Sequence, residues 1–530
     1  MIVGSKIELG WCALLPWVLL AFVPDNHTEK FMRSYASRLS AVAVLMLGLA
    51  IIIGTLNKGF ASAAQQYPAH AVYLPVVPVR PRQTIGDLTI THVGLYQSVQ
   101  NQSNDIVLIA GKPALLRVFA QALHSSTPTV SSRIRVDARR DGQFLGTISS
   151  QAALVSNNPT TENMGSTFNL DLPVEWLHGE LELTATIDDS DSIPELSESN
   201  NVLRSKFVFR SVAPLQLTIV PIIYTDTVTG KTYSTPGHDP ISSWLRSAFP
   251  ISDVIVDIHA PLLFTGDLRR GSDWGLLLQN ITALWGNEVG SGSPHIYYGL
   301  IPNIASDGSS WFYGGLSGLG WVGQRVSIGI DLGLDTGPSA AHEIGHNLGR
   351  RHAPCGNPSG VDPNFPYANA SIGVYGVDTT AETLLTPDQT HDLMSYCGPE
   401  WVSDYTYEAL FQDQSLRGNQ MGVTGDGLFV TTLIDGNDNA SFLATGETGI
   451  DIASGSVQGI QVQVVDRKGA ILGTYPAEMY SAEEEGVSVT MLGAFVPGLG
   501  NGQSIKKFRF MRGDVVIAEQ LVREVVVPQQ

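Results

Sequence analysis

His342-Glu343-Ile344-Gly345-His346-Asn347-Leu348-Gly349-Arg350-Arg351-His352 places three of the chain's 12 histidines within eleven residues, with a carboxylate between the first two. On a helix spanning Ala340 to Leu348, His342 and His346 lie one turn apart on one face, with Glu343 beside them. Three residues past His346 the chain must turn back to bring His352 to the same point. Gly349 stands there, and glycine adopts the left-handed conformation that such a turn needs. Zinc takes imidazole nitrogens at about 2.0 to 2.1 Å in near-tetrahedral geometry, so His342, His346 and His352 leave a fourth position for water. Glu343 is the candidate general base, taking a proton from the zinc-bound water as it attacks and returning one to the leaving group. A lone H-E-x-x-H also fits an ordinary amphipathic helix; Gly349 and His352 at the added offsets argue against coincidence.

Downstream, after 38 intervening residues, comes His391-Asp392-Leu393-Met394-Ser395-Tyr396. Together the two segments resemble the extended zinc motif and Met-turn of the metzincin superfamily of zinc endopeptidases. The resemblance implies His342, His346 and His352 as zinc ligands, Glu343 as general base, Gly349 as the turn glycine and Met394 as a hydrophobic support beneath the metal. Tyr396 matches the tyrosine of astacin-like and serralysin-like members, which approaches zinc and donates a hydrogen bond to the oxyanion. The resemblance covers about residues 214 to 410 and leaves the exact family open.

The sequence upstream of the motif supports a mixed sheet with helices packed against it. Leu215 to Ile223 reads as a buried strand, Ile241 to Phe249 as a short helix, Val254 to Ile258 as a strand, Trp274 to Trp285 as a longer apolar helix and His295 to Leu300 as another strand. Pro338 suits the first turn of the metal helix, which is expected to begin there. Gly314 to Val322 is glycine-rich but lacks the Lys-Ser/Thr ending and the following helix that phosphate binding requires. In a metzincin it would approach the edge strand beside the cleft, where an extended peptide can add as another strand; turns between two short strands fit its glycines equally well.

Of three cysteines, Cys355 follows His352 by three and Cys397 directly follows Tyr396. In an oxidising compartment they can form a disulfide tying the third-histidine loop to the Met-turn; free buried thiols or extra metal ligands are the alternatives. The third, Cys12, lies in an N-terminal region that reads as an export signal over residues 1–63, with a basic start from Met32 to Arg38, an apolar run from Ala41 to Leu56 and the cleavage pattern Ala61-Ser62-Ala63. That run is 16 residues, short for a membrane span. Residues 1–63 hold five Lys/Arg and three Asp/Glu, so the whole-chain net charge of -19 becomes -21 for the remainder. Such acidity argues against nucleic acid as a partner and against anionic membranes, leaving transient membrane association through the N-terminal segment as a candidate.

The fold class expected is multidomain α+β: a Pro-rich spacer over 64–86, an immunoglobulin-like β-sandwich over 87–210, a metzincin-like peptidase domain over 214–420 and a β-rich domain over 421–530. Strands are expected at Ile106 to Ala110, Ala114 to Phe119, Ser132 to Val136 and Leu181 to Ile187. The acidic turn from Asp188 to Asn201 resembles those of adhesion-type modules common in secreted bacterial proteins, which points to a bacterial, secreted or cell-surface location. That turn is a candidate for structural Ca2+, with an ordinary solvated turn as the alternative, and Asp435 to Asn439 is a candidate oxygen-ligand loop that lacks the full calcium-loop pattern. The expected function is a secreted zinc endopeptidase acting on a protein or glycoprotein substrate. The alternatives are a β-domain adhesin with a structural metal site and a zinc hydrolase of nonpeptide amides.

Overall fold

Alternation of large apolar residues with polar or small ones sets most of this architecture. The computed structural model describes residues 86–123, 130–235, 237–289 and 293–413, and in the C-terminal region 427–434, 440–447, 459–484, 487–497 and 505–521. These all fall within one unit, Arg82–Gln530. They are mostly β-sheet, in several sheets, with four α-helices among the described residues. The export signal and Cys12 lie outside the described residues, as do almost all of the spacer and the Asp435 to Asn439 loop.

The first strands are β1 (Asp87–Tyr96), β2 (Val99–Gln100), β3 (Leu108–Ile109), β4 (Leu115–Leu123), β5 (Ile134–Arg140), β6 (Gln143–Ser149), β7 (Phe168–Asp171), β8 (Glu180–Ile187) and β9 (Val202–Arg210). Sheet β1-β4-β7 faces sheet β3-β9-β8-β5-β6. Every second residue of β5 and β8, such as Ile134, Val136, Leu181 and Leu183, enters a shared core with Leu88, Leu116, Val118 and Phe207. This is a β-sandwich-like layer pair. Two expected strands differ: Ile106 to Ala110 shrinks to β3, and the Ser132 to Val136 strand breaks at Arg133. At β3 the cause is side-chain competition for the backbone. Gln97 accepts from Ile109 N at 2.6 Å and donates to Ile109 O at 2.9 Å, while Gln100 Oε1 accepts from Ile106 N at 3.1 Å.

The central sheet is built on β10 (Leu215–Asp226), with β11 (Thr232–Ser234), α1 (Ser242–Ala248), β12 (Val254–Ile258), β13 (Leu262–Gly266), α2 (Gly271–Glu288), β14 (Ile296–Ile301), β15 (Gly318–Gly320), β16 (Val326–Ile330) and α3 (Thr336–Asn347) following. One edge of β10 pairs in parallel with β12 and then β13; the other pairs with β14, which pairs with β16. Only β11 and β15 run antiparallel in this sheet, β15 at its edge beyond β16. Leu217, Ile219, Ile296 and Tyr298 face α1 and α3, whereas Val220, Ile222, Tyr297, Val326 and Ile328 face α2. Apolar residues on both faces explain the near-continuous hydrophobic reading of β10.

The sandwich and the central layer share a core. Val99, Ile106 and Ile109 join the cluster that holds Ile344 and Met394, and β2 pairs with β17 (Tyr375–Asp378). Ser98 Oγ donates to Ser247 O at 2.6 Å, and the fully buried Lys112 ammonium donates to the carbonyls of Arg246 and Ser247 at the C-terminal end of α1. A cation is favoured at that end of a helix. Burial nevertheless pulls the Lys112 pKa down to about 7. A last helix, α4 (Asp404–Gln412), closes the central layer, its N-cap Ser403 accepting from Thr406 N. The C-terminal residues form two four-stranded antiparallel sheets around Val430, Val462, Leu492, Phe508 and Phe510.

Candidate metal centre

Helix α3 begins at Thr336, two residues ahead of the expected Pro338 start, because Thr336 Oγ1 accepts from Leu332 N at 2.7 Å and donates to Asp331 at 3.1 Å, extending the first turn backward. Pro338 still sits in that first turn, where its missing N–H costs nothing. The other end closes as the sequence suggests. Gly349 has φ +81°, its N–H reaches His346 O at 2.8 Å, and Arg350 N reaches Gly345 O at 2.9 Å. This is the Schellman closure of a helix C-terminus.

The turn also orients a histidine, since Arg350 O accepts from His346 Nδ1 at 2.7 Å. His342 Nδ1 donates to Leu393 O at 2.7 Å and His352 Nδ1 to Ser359 O at 2.5 Å. A carbonyl can only accept, so all three rings carry their proton on Nδ1 and keep the Nε2 lone pair. One ligand atom from each lies within 4.8 Å of the other two. His346 Nε2 and His352 Nε2 are 3.1 Å apart, and two lone pairs at that distance repel unless a cation lies between them. The residues therefore fit a metal ion of the kind imidazole binds, zinc among them. Burial lowers all three pKa values, His342 to about 3 with help from His352 and His346 well below the usual histidine range. The neutral imidazole that ligation requires is the state held at neutral pH.

Glu343 is buried against the edge strand. A Cβ on Gly318 would stand 2.4 Å from its Oε1, and one on Gly320 2.9 Å from its Oε2. Real side chains do not approach so closely, so β15 must be glycine at both positions for the carboxylate to lie where it does. The glycine-rich stretch supplies both a short edge strand, Gly318–Gly320, and the start of the turn that joins it to β16. A cavity of about 220 Å³ opens beside Glu343 and His342 and is also lined by Tyr396.

The Met-turn lies under the helix. Met394 is 1% exposed, and its Sδ would be 2.5 Å from a Cβ on Gly345, so the small residue inside the motif makes room for the methionine. The Tyr396 hydroxyl is 3.4 Å from His352 Nε2. Cys355 and Cys397 form a disulfide, Cα to Cα 5.7 Å, beside Tyr396 N to Cys355 O at 3.0 Å and Ala353 N to Met394 O at 2.9 Å. His391 stays out of the cluster, its Nδ1 on Asn369 O.

Some contributors escaped the sequence reading. Asn347, fully buried, donates to Trp321 O and Val326 O and accepts from Ser327, clamping α3 to β16. Asp392, also fully buried, accepts from Met394 N at 2.8 Å and Ser403 N at 2.9 Å; burial raises its pKa, and those hydrogen bonds act against the rise. Gly318 and Gly320 left one signal, their spacing of two, which puts both on one face of a strand.

In the acidic turn the carboxylates crowd one another, desolvation and then the charges of Asp191, Glu195 and Asp188 raising the Glu198 carboxyl. Asp188 caps Ile193 N and Ser192, Glu195 accepts from Leu88 N and Asn201, and Glu198 accepts from Asn201. Among the described residues only the three histidines bring three or more ligand groups close enough for one ion.

No family model matches the chain, and no curated protein matches it. Among solved structures it is similar to the CARDB domain of the PF1109 protein from Pyrococcus furiosus, solved in complex with di-metal ions, at 19% identity over 24% of this chain and 94% of that one, TM-score 0.16. A domain of a putative cell surface protein from Methanosarcina acetivorans matches at 17% identity over 24% and 92%, TM-score 0.17. A putative beta-galactosidase from Bacteroides fragilis matches at 9% identity over 39% of each chain, TM-score 0.15. Likenesses at these scores carry no conclusion about function.

Proposed function

We propose that this chain is an exported, zinc-dependent endopeptidase with a metzincin-like catalytic layer. The observation that carries the reading is the convergence of three Nδ1-anchored imidazoles beside a cavity that Glu343 also lines. A bound zinc would supply Lewis acidity, making water a better nucleophile at neutral pH and offsetting charge on a substrate carbonyl oxygen. Glu343 accepts the proton of the attacking water and delivers it to the departing amine nitrogen. The Tyr396 phenol donates a hydrogen bond to the carbonyl oxygen as it becomes an oxyanion. β15 ends the sheet order, with Gly318 lining the cavity, the position at which an extended peptide can add as a further strand, which suits a substrate that is itself a polypeptide. The parallel sheet with an antiparallel edge strand, the helix, the glycine turn and the buried methionine support the metzincin-like reading. Export rests on the N-terminal sequence, and the disulfide agrees with an oxidising destination.

The test is to identify products by mass spectrometry after incubation with intact proteins, comparing the chain with its His352→Ala variant. Peptide-bond cleavage that disappears with the third histidine is expected. Release of nonpeptide amines with no backbone cleavage would replace the reading by a different hydrolase.

A further inference from the structure

The cavity beside Glu343 sets a few apolar side chains among polar ones, and the charged side chains in its lining are all acidic. Leu316, Leu332, Pro338 and Leu393 supply its apolar contacts, Asp335 and Glu400 are its carboxylates besides Glu343, and no lysine or arginine is among its lining residues. Clefts that take whole small molecules run from roughly 300 to 1,000 Å³; about 220 Å³ is room for a single side chain. Asp335 does not cap α3 with its side chain. Neither it nor Glu400 belongs to an ion pair found among the described residues. Glu400 faces solvent on one side, yet burial and then the charge of Asp335 raise its carboxyl, the behaviour of a carboxylate that lacks a counter-charge. The half-charge of roughly +0.5 at the start of α3 is outweighed by two full carboxylates.

Glu400 is also firmly held. His391 N bonds Pro399 O at 2.9 Å and Leu393 N bonds Trp401 O at 2.7 Å, so its backbone is stapled to the Met-turn. The buried Trp401 indole donates to Ser98 O at 3.0 Å.

We infer that this cavity selects a lysine or arginine side chain of the substrate next to the scissile bond, with Glu400 and Asp335 as its specificity-determining carboxylates. The aliphatic stem of such a side chain covers the leucine walls while its cationic head meets the carboxylates. The inference rests on the peptidase reading and adds its substrate class.

The experiment digests a mixed peptide library with the full chain, and measures agmatine binding to the same protein by ligand-observed NMR as a readout independent of turnover. Lysine or arginine should be enriched at one position adjoining the cleaved bond. Glu400→Gln should cut that enrichment by roughly fivefold, Asp335→Asn should act in the same direction, and Glu400→Lys should shift the preference toward acidic residues. Cleavage without a basic preference, or with one that ignores both variants, overturns the inference while leaving the peptidase reading intact. Absence of cleavage together with agmatine binding weakened by Glu400→Gln supports the cavity's preference for a basic group and counts against the peptidase reading. Absence of both overturns the two together.

Discussion

At Glu343 the position of one carboxylate depends on what two neighbours lack. Because a Cβ at residue 318 would stand 2.4 Å from Glu343 Oε1, Gly318→Ala should displace the base without touching the histidines. Misplacement by about 1 Å can cost on the order of a hundredfold in rate, so this variant should keep its metal and lose activity by roughly that factor. Equal loss of metal, measured by mass spectrometry of the purified protein, would contradict the explanation. The histidines predict a pH dependence. His342 has a folded pKa of about 3 against 6.5 unfolded, so below pH 6.5 the unfolded chain takes up a proton that the folded chain refuses. Stability of the metal-free protein is therefore nearly whole above pH 7 and falls as pH drops through 6.5 toward 3, by about 1.4 kcal/mol at pH 5.5 for this group. Melting temperatures between pH 7.5 and 5 should show the decline, and His342→Asn should make it shallower; parallel curves would rule the histidine out as its source.

Among the elements, the loop from Cys355 to Cys397 joins the third ligand to the methionine turn across a separation of 42 residues. Closing a loop of that size removes unfolded-chain entropy equivalent to about 4 kcal/mol. Replacing both cysteines by serine should lower the denaturation midpoint accordingly and weaken metal retention, since Ser359, which anchors His352, lies within that loop; an unchanged midpoint in urea would refute this. What the sequence disclosed at this scale followed local physics. The strand at Val254 to Ile258 was readable from its apolar run, and the exit of α3 from Gly349, because both depend on residues close in the chain. The start of α3 was misplaced since Asp331 and Thr336 act before the proline, and β3 was overextended since two glutamine side chains took its backbone groups. Asn347 gave no sequence signal because its partners Trp321, Val326 and Ser327 are distant in the chain, whereas Asp392 joins a neighbour, Met394, to Ser403 eleven residues on, a link its local sequence does not mark.

For the whole molecule, the sandwich strands up to residue 210 and the central-sheet strands after 214 belong to different sheets, yet the two layers share a core. Val99, Ile106 and Ile109 complete the core beneath α3, and the sandwich is held to α1 by Ser98 and Lys112. A fragment of residues 214–420 alone exposes that apolar surface, each fully buried aliphatic side chain being worth about 1.5 to 3 kcal/mol. It should fail to unfold cooperatively in calorimetry, whereas residues 87–420 should show a single transition. A fragment 214–420 with the stability of the longer chain would show the shared core to be dispensable.

The central claim, a metal-dependent peptide hydrolase with Glu343 as its base, is tested most directly by measuring bound zinc and peptide cleavage in parallel for the chain and for Glu343→Gln. The account predicts one zinc per chain in both proteins, with the cleavage rate falling by at least about a hundredfold in the variant. Cleavage undiminished by the substitution, or folded protein that binds no zinc, would contradict it.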